Sequence, residues 1–456
     1  MTECAEDQYV SSNTCMDCAP GSTRPPGDDA TGDDTACAPT ACLEDQYVSR
    51  NSCEDCAPGT ERDAGDLATG GDTVCASTPC LADQYVSGNA CVACPMGETN
   101  AQGDDASGGD TLCDDSCVLA VGVRCDAFAE AYIKSSNTDV EDAFGFSVDM
   151  DGDTLVVGAH LEDSGATGVG GDELNDLRPS AGAAYVFVRN GTTWSQQAYL
   201  KSPTSTGGLL FGWSVAVRGD TVVVGARFEQ SISAIDSADD SADEAGAVYV
   251  FEQLMGAWVE SAYLKSSNIG AGDKFGFSLD LDGDRLVVGA YHEDSGDPAD
   301  LANDSVTNAG AAYVFERSMG AWGQVAYLKH PDPNNFDEFG FSVALDGDLV
   351  VVGAYAEDAL GAGLNPDPAA DFTSNGTAGA VALFERQANG LWTSKAFIKP
   401  PNPTQGNRFG YAVAISGSRL ASADYFEDSS ATGINGNPFD TQAPDSGAVF
   451  VRRVAP

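Results

Sequence analysis

The residues best suited to chemistry in this sequence are carboxylates placed at every second position of a short stretch. Alternating acidic residues in a tight loop can supply the six to eight oxygen ligands that calcium prefers. The pattern begins Asp-x-Asp-Gly-Asp and occurs twice. Its members are Asp149, Asp151, Asp153, Asp280, Asp282 and Asp284, and they are candidate metal ligands.

A tight turn between two strands is the competing interpretation of the same stretch. Related positions further along the chain read Arg218-Gly219, Asp346-Gly347 and Ser416-Gly417. What persists is a glycine between polar residues, as a two-residue hairpin requires. The next apolar run follows at once, which leaves no room for a further acidic ligand. The turn is therefore favoured, and a calcium site stays the alternative.

A second acidic series follows each Val-Gly-Ala or related run and begins a loop of about 20 residues. Loops of this length are uncommon unless they are functional or disordered. We expect either calcium, which would hold loops that present a ligand surface, or mobile solvated loops. The candidate metal ligands of this series are Glu162, Asp163, Glu229, Glu293, Asp294, Glu357, Asp358, Glu427 and Asp428.

Catalytic signatures are scarce. His160, His292 and His330 stand apart from one another and are expected on the surface. No serine elbow, phosphate-binding glycine loop or H-E-x-x-H motif occurs. The carboxylates could suit a glycosidase pair, but a catalytic pair should be singular and these recur. The sequence predicts a protein that is not an enzyme and has no catalytic residues.

A large internal repeat must position these carboxylates. Phe-Gly recurs at Phe144, Phe211, Phe275, Phe339 and Phe409, at spacings of 67, 64, 64 and 70 residues. Each unit contains four short runs of β-branched and aromatic residues, which predict four antiparallel strands. Repeated four-stranded sheets are typical of β-propeller blades. The predicted fold class is all-β: a five-bladed β-propeller of four-stranded antiparallel blades.

The two ends of the repeat suggest how the ring would close. Residues 131–134, Ala-Tyr-Ile-Lys, match the fourth run of later units at 198–201, 262–265 and 326–329. The last unit stops after its third run. We therefore expect residues 126–456 to form one propeller in which strand 131–134 completes the fifth blade and removes its exposed edge.

These units resemble the FG-GAP repeats of the integrin α-subunit propeller and of many secreted bacterial and protist proteins. The matching text in the first unit is Phe144-Gly145, Val157-Gly158-Ala159 and the run AGAAYVF at 181–187, with counterparts in the other four. The resemblance covers residues 131–456. It implies a binding scaffold in adhesion or matrix, without specifying one ligand.

A cysteine repeat occupies residues 1–125, and three small units at 4–41, 42–79 and 80–116 share the spacing C-x10-C-x2-C-x18-C. Such small units need staples, and an even number of cysteines predicts disulfides formed in an oxidising compartment. Zinc ligation is the alternative. The predicted disulfide cysteines are Cys4, Cys15, Cys18, Cys37, Cys42, Cys53, Cys56, Cys75, Cys80, Cys91, Cys94 and Cys113, with Cys117 and Cys125 as a junction pair.

The cysteine spacing resembles the cysteine-rich modules of tumour necrosis factor receptors and the related ephrin-receptor-like repeats. The resemblance rests on C-x4-Y, C-x2-C-x2-G and the ending D-T-x-C. It implies first-to-second and third-to-fourth pairing within each unit. This chain lacks two cysteines per receptor module, so receptor-type ligand binding does not carry over. A semi-rigid rod that holds the next domain away from a surface is the favoured role.

Composition narrows the partners. The formal net charge is −48, which argues against nucleic acid and anionic lipid, both of which require basic surfaces. No apolar run is long enough to span a bilayer, so membrane insertion is not expected. The first ten residues lack an export signal although the cysteines indicate export. We expect that the chain is a fragment or that its true start lies upstream.

Together these features predict an extracellular or cell-surface binding or adhesion module. The expected partner is a protein or glycan ligand at a cell surface or matrix, with calcium as the candidate cofactor. A structural subunit of a surface layer or appendage is the alternative, and a polysaccharide-acting enzyme is the second. Candidate glycosylation sites are the sequon residues Asn190, Asn303 and Asn375.

Overall fold

The computed structural model divides into two compact units, residues 1–130 and 131–456. Among the described residues it contains no helix with the length and hydropathy needed to cross a bilayer. The residues described are 3–82, 84–94, 100, 103–108, 111, 131–297, 303–359, 361–367 and 376–454.

The first unit consists of small modules built on two-stranded antiparallel hairpins. In the first two modules a longer hairpin is followed by a pair of two-residue strands. The strands are β1 Gln8–Ser11, β2 Thr14–Asp17, β3 Ser22–Thr23, β4 Ala38–Pro39, β5 Gln46–Ser49, β6 Ser52–Asp55, β7 Thr60–Glu61, β8 Ala76–Ser77, β9 Gln84–Ser87 and β10 Ala90–Ala93.

Disulfides hold the first two modules in the first-to-second and third-to-fourth pattern that the resemblance implies, and the third module has the same first-to-second bond. The five bonds described are Cys4–Cys15, Cys18–Cys37, Cys42–Cys53, Cys56–Cys75 and Cys80–Cys91. Cys94 is also disulfide-bonded. The zinc alternative is therefore wrong for these cysteines, because each sulfur is already bonded. Cys113, Cys117 and Cys125 lie outside the described residues.

Consecutive modules contact one another through their backbones. Gly21 has φ +81°, and a Cβ there would lie 2.4 Å from the carbonyl oxygen of Ala68 in the second module. Gly59 meets Ala106 of the third module in the same way, at 2.2 Å. Only glycine fits such an approach. The repeated contact fixes each of these modules against the next.

In the described part of the second unit there are five antiparallel sheets, so the predicted all-β class with four-stranded sheets is confirmed. Four sheets have four strands in chain order, and the fifth has three. The strands are β11 Ser147–Asp151, β12 Thr154–Ala159, β13 Ala183–Asn190, β14 Thr193–Leu200, β15 Phe211–Arg218, β16 Thr221–Ala226, β17 Ala247–Leu254, β18 Ala257–Leu264, β19 Ser278–Asp282, β20 Arg285–Ala290, β21 Ala311–Ser318, β22 Ala321–Leu328, β23 Phe339–Asp346, β24 Leu349–Ala354, β25 Ala380–Arg386, β26 Trp392–Ile398, β27 Phe409–Ser416, β28 Arg419–Asp424 and β29 Ala448–Arg453.

The Phe-Gly pair joins each sheet to the preceding one. Phe211 is fully buried and forms a parallel bridge with Gly182 of the first Phe-Gly repeat. Gly212 has φ +86°, and a Cβ there would lie 2.2 Å from the carbonyl oxygen of Ala183. Apolar residues from neighbouring sheets share common cores around this contact. The repeat therefore requires both residues, one to fill the core and one to allow backbone approach.

The predicted closure of the fifth sheet by strand 131–134 is not confirmed. Residues 131–134 have no strand conformation and lie beside β14, and Ile133 packs in the core of the first sheet. Within the described residues, β27 and β11 lack the extensive contacts that join the first strands of consecutive sheets. The anchoring of the next residues is not the cause, because Ser136 N–H donates to Gln196 and Asn137 to Glu162 just as Ser267 N–H donates to Gln324 and Asn268 to Glu293 directly after strand β18.

Candidate functional site

The glutamates predicted to bind metal lie buried at the roots of the long loops. In the first Phe-Gly repeat the Nζ of Lys201 lies 2.6 Å from Glu162 Oε2, and the Tyr199 hydroxyl donates to Oε1 at 2.7 Å. Lysine and tyrosine come from the end of the fourth strand, and glutamate follows the second. The ion pair therefore ties the start of each long loop to the outer edge of its sheet.

The same pair recurs in the next three units. Lys265 lies 2.8 Å from Glu229 and Lys329 lies 2.7 Å from Glu293, while Lys399 pairs with Glu357. These glutamates are not exposed ligands, because a lysine ammonium already occupies the place of a cation. Glu427 of the fifth unit is also buried but has no lysine among its described partners, which are Asn402 and the Ser429 N–H.

Burial and pairing act against each other in these pairs. Burial lowers the pKa of Lys201, and the charge of Glu162 opposes that shift. Burial likewise raises the pKa of Glu229, and Lys265 opposes it. Each charge thus offsets part of the cost of burying its partner, and a lone buried charge would be strongly disfavoured.

The aspartates that follow these glutamates secure the far end of the same loops. Asp163 accepts a hydrogen bond from Ser180 N–H at 2.7 Å, Asp294 from Asn308 N–H at 2.6 Å, and Asp428 from Asp445 N–H at 2.9 Å. Asp358 occupies the equivalent position of the fourth unit and is partly exposed. Three of these predicted metal ligands therefore hold the two ends of a long loop together by a hydrogen bond, and we call them loop staples.

The alternating aspartates of the hairpin turns bind the neighbouring sheet. Asp149 accepts from Val217 N–H and Arg218, both at 2.8 Å, and Asp151 accepts from Gly219 N–H at 2.6 Å. Asp280 and Asp282 repeat this arrangement toward Leu345 and Gly347 of the fourth unit, at 2.8 and 2.7 Å.

The third aspartate of each stretch pairs with an arginine of its own sheet. Asp153 accepts from Arg189 and Asp284 from Arg317. Gly152 has φ +56° at the first position of its two-residue turn, as a type II′ hairpin requires. The turn interpretation therefore describes the backbone of these residues, and their carboxylates accept hydrogen bonds and pair with arginines.

The described part of the chain holds no group of three or more His, Cys, Asp or Glu side chains arranged to bind a metal ion. The specific ligands predicted from sequence are thus engaged elsewhere, with the exceptions of Asp358 and Glu427. Calcium binding itself stays a prediction, and the acidic residues available for it are those exposed in the long loops.

The long loops expose large apolar side chains that were not predicted from the sequence. Each joins the second and third strands of a unit, so all emerge at the corresponding end of their sheets. The exposed apolar residues are Leu174, Leu177, Ile235, Leu364, Ile434 and Phe439. Exposed carboxylates in the same loops include Asp172, Asp176, Asp236, Asp240, Asp243, Asp297, Asp304 and Asp367. We call these two sets the loop surface.

Two of the three histidines are buried, contrary to expectation, and the third is partly exposed. His160 is buried against Phe146 and Trp213, with ring centroids 4.0 and 5.0 Å away, and burial lowers its pKa. His330 is buried with Nδ1 2.7 Å from the Asp332 carbonyl oxygen, and burial lowers its pKa to about 4. Burial similarly lowers the pKa of His292 to about 4. These rings are neutral packing groups at pH 7.

Two of the three candidate glycosylation sites are described. Asn190 is exposed at the end of β13, where a glycan would meet solvent. Asn303 is partly buried, and its carbonyl oxygen accepts from Gly296 N–H. Asn375 lies outside the described residues.

A family model described as FG-GAP repeat matches this chain in four consecutive segments. The matched residues are 128–187, 194–251, 258–315 and 322–366. The second, third and fourth segments each begin in the fourth strand of one sheet and continue into the next sheet, so the matched segments are offset by one strand from the sheets. No curated protein matches the chain significantly.

Proposed function

Residues 128–366 belong to the FG-GAP repeat family, and from this premise we propose that the protein is a non-catalytic extracellular binding or adhesion module. FG-GAP repeats indicate an adhesion-type module, and the disulfides fit an oxidising compartment outside the cell. The carboxylates that might have served a glycosidase are mostly in lysine pairs, loop staples or turn contacts.

The loop surface is the observation that supports this function. Isolated exposed aliphatic residues are ordinary, but here they recur in loops of several units, with carboxylates around them. Buried ion pairs fix the roots of four of these loops. The chemistry suits a protein partner with apolar pockets and basic neighbours, and a glycan ligand is the other candidate.

The test compares binding of two triple variants to fixed cells and to a glycan array. Leu174→Ser, Ile235→Ser and Ile434→Ser together remove aliphatic tips from three loops. Met255→Ser, Met319→Ser and Leu391→Ser change three exposed residues in hairpin turns at the opposite end of the sheets. We expect at least about tenfold weaker binding for the first variant only. Equal binding by both would contradict a role for the loop surface.

Calcium dependence is proposed as a property of the same loops. Binding should then fall in the presence of a chelator, and calorimetric titration of the chain with calcium should release or absorb heat. No heat at millimolar calcium would contradict the metal part of the proposal and leave the loop surface to bind without it.

A further inference from the structure

The first sheet exposes apolar residues whose counterparts in later sheets are buried. Val148 on β11 is 62% exposed, whereas its counterpart Val215 on β15 is 8% exposed. Phe144 is only partly buried, although the other four Phe-Gly phenylalanines are fully buried. We call Phe144, Phe146, Val148 and Met150 the head face. In later units the preceding sheet covers these positions.

The fifth sheet exposes a matching surface on β29. Val451 is 66% exposed, whereas its counterpart Val250 on β17 is fully buried, and Val449 is similarly exposed. A groove of about 710 Å³ runs along this strand and is lined by Glu427, Gly447, Val449 and Val451. These four residues form the tail face. In each other unit a fourth strand and the next Phe-Gly pair cover the equivalent residues.

The buried carboxylate of Glu427 indicates which kind of group would complete the tail face. It is 2% exposed, and its described partners provide two hydrogen bonds but no cation. Its four counterparts each have a lysine from the fourth strand. A buried carboxylate without a counter-charge is unfavourable, so the site is complementary to an ammonium group.

Residues 131–134 carry that ammonium group. Tyr132 is 88% exposed and Lys134 is exposed, while their counterparts Tyr199 and Lys201 are almost fully buried. The segment that follows is anchored on the first sheet of the second unit. Asn137 accepts from Tyr185 and donates to Glu162, as Asn268 does with Tyr313 and Glu293. The segment thus stands where a preceding sheet's fourth strand would stand.

We infer that the head face of one copy of this chain docks on the tail face of a second copy. Residues 131–134 of the first copy then add to β29 of the second, and Lys134 pairs with Glu427. The register of β13 with β14 places Ile133 opposite Val449 and Tyr132 opposite Phe450. Phe144 of the first copy covers Gly447 of the second, as Phe211 covers Gly182.

A second copy is the occupant because the two faces of one chain are apart in this structure while their anchoring is intact. The contact continues the one already made between consecutive sheets, so neither partner has to refold. A head-to-tail contact is heterologous, and it builds an open chain of copies or a closed ring of several. This inference does not depend on the function proposed for the loop surface.

Complementary blocked variants test the contact with the full chain. Val148→Asp blocks the head face and Val451→Asp blocks the tail face, each at an exposed position. Wild type should associate with rising concentration in sedimentation velocity, and each variant should associate at least about tenfold more weakly. An equimolar mixture should form a one-to-one heterodimer, because each variant keeps one intact face.

Charge reversal tests the Lys134–Glu427 pair. Lys134→Glu should weaken association to a similar extent, whereas Arg50→Glu changes the net charge equally on the exposed surface of the first unit and should leave association unchanged. Wild type that stays monomeric at every concentration would overturn the inference. So would association of wild type without heterodimer formation in the mixture, since that would place the contact elsewhere.

Discussion

At the scale of single residues, the buried lysine–glutamate pairs determine what the acidic loops can do. Each pair removes one glutamate from the surface and fixes the loop that starts there. Breaking a buried pair by removing one partner leaves an unpaired charge and costs about 3–5 kcal/mol, whereas replacing both partners costs much less. In these pairs the double substitution should therefore cost less than a single substitution, whereas exposed pairs should show only weak coupling.

Lys329→Met should lower the free energy of unfolding by about 3–5 kcal/mol, because it leaves Glu293 buried without a cation. Adding Glu293→Gln should recover most of the loss. Urea unfolding followed by tryptophan fluorescence measures this, since all five tryptophans lie in the second unit. Glu385→Gln is the control, because its pair with Lys395 is partly exposed and worth less than about 1 kcal/mol. Equal effects of both single changes would contradict the pairing argument.

Asp273 should make the second unit less stable as pH rises. Burial raises its pKa from 3.8 to about 8, and the hydrogen bond from Gly270 N–H opposes that shift. Between these pH values the folded state binds the proton more tightly, so stability is highest below the unfolded pKa and is lost as pH rises toward 8. The slope from this group is up to about 1.4 kcal/mol per pH unit.

Asp273→Asn should remove that slope and stabilise the chain at pH 8, because an amide has no charge to bury. The fifth unit already has Asn407 at the equivalent position, where it is buried. Urea unfolding from pH 5 to 8 measures the difference between variant and wild type. A difference that does not change with pH would show that Asp273 does not titrate in this range.

The acidic residues also show how far sequence could predict the candidate site. The sequence pattern indicates that each of these glutamates lies at the start of a long loop. It does not indicate that their side chains are buried, because charged side chains are expected to be exposed. A partial signal was present, because Glu162, Glu229, Glu293 and Glu357 each recur with a lysine at the end of the fourth strand. The sequence could not show that the two meet in the core, since that depends on how a loop crosses the end of its sheet.

At the scale of elements, the Phe-Gly motif sets the spacing between sheets. Gly340 has φ +91°, and a Cβ there would lie 2.1 Å from the Ala311 carbonyl oxygen. Gly340→Ala should therefore lower the free energy of unfolding by at least about 2–4 kcal/mol through a backbone clash. Gly347→Ala is the matched control, because its φ is +57° with open space around it. Its cost should be only about 1 kcal/mol. Equal costs would mean that backbone strain, and not crowding, explains the motif.

Strands and sheets were predictable because their signals are local and repeated. Short β-branched runs separated by glycine turns identify each strand, and the repeat shows that four belong together. Residues 131–134 do resemble the fourth-strand sequences of the later repeats. It could not show whether the segment meets the edge of the fifth sheet, because that depends on the angles between all five sheets and not on a local contact: Ser136 and Asn137 make the same hydrogen bonds as Ser267 and Asn268.

At the scale of the whole molecule, the two units draw their stability from different sources. The second unit buries extensive apolar cores, such as the one that includes Val224, Tyr249 and Phe251. In the first unit the apolar clusters are much smaller, and one contains only Val10 and Ala30 besides two cysteines. Modules of this size depend on disulfides, each contributing about 2–4 kcal/mol by restricting the unfolded chain.

Reduction should therefore unfold the first unit and leave the second intact. With a reductant present, the near-ultraviolet signal and protease resistance of residues 1–125 should be lost. Tryptophan fluorescence should keep the melting temperature of the unreduced chain, because every tryptophan reports on the second unit and no described disulfide lies in it. An oxidised sample at the same ionic strength is the control. A drop in the tryptophan melting temperature on reduction would mean that the cysteine modules stabilise the sheets, and the two units would then have to be treated as one cooperative structure.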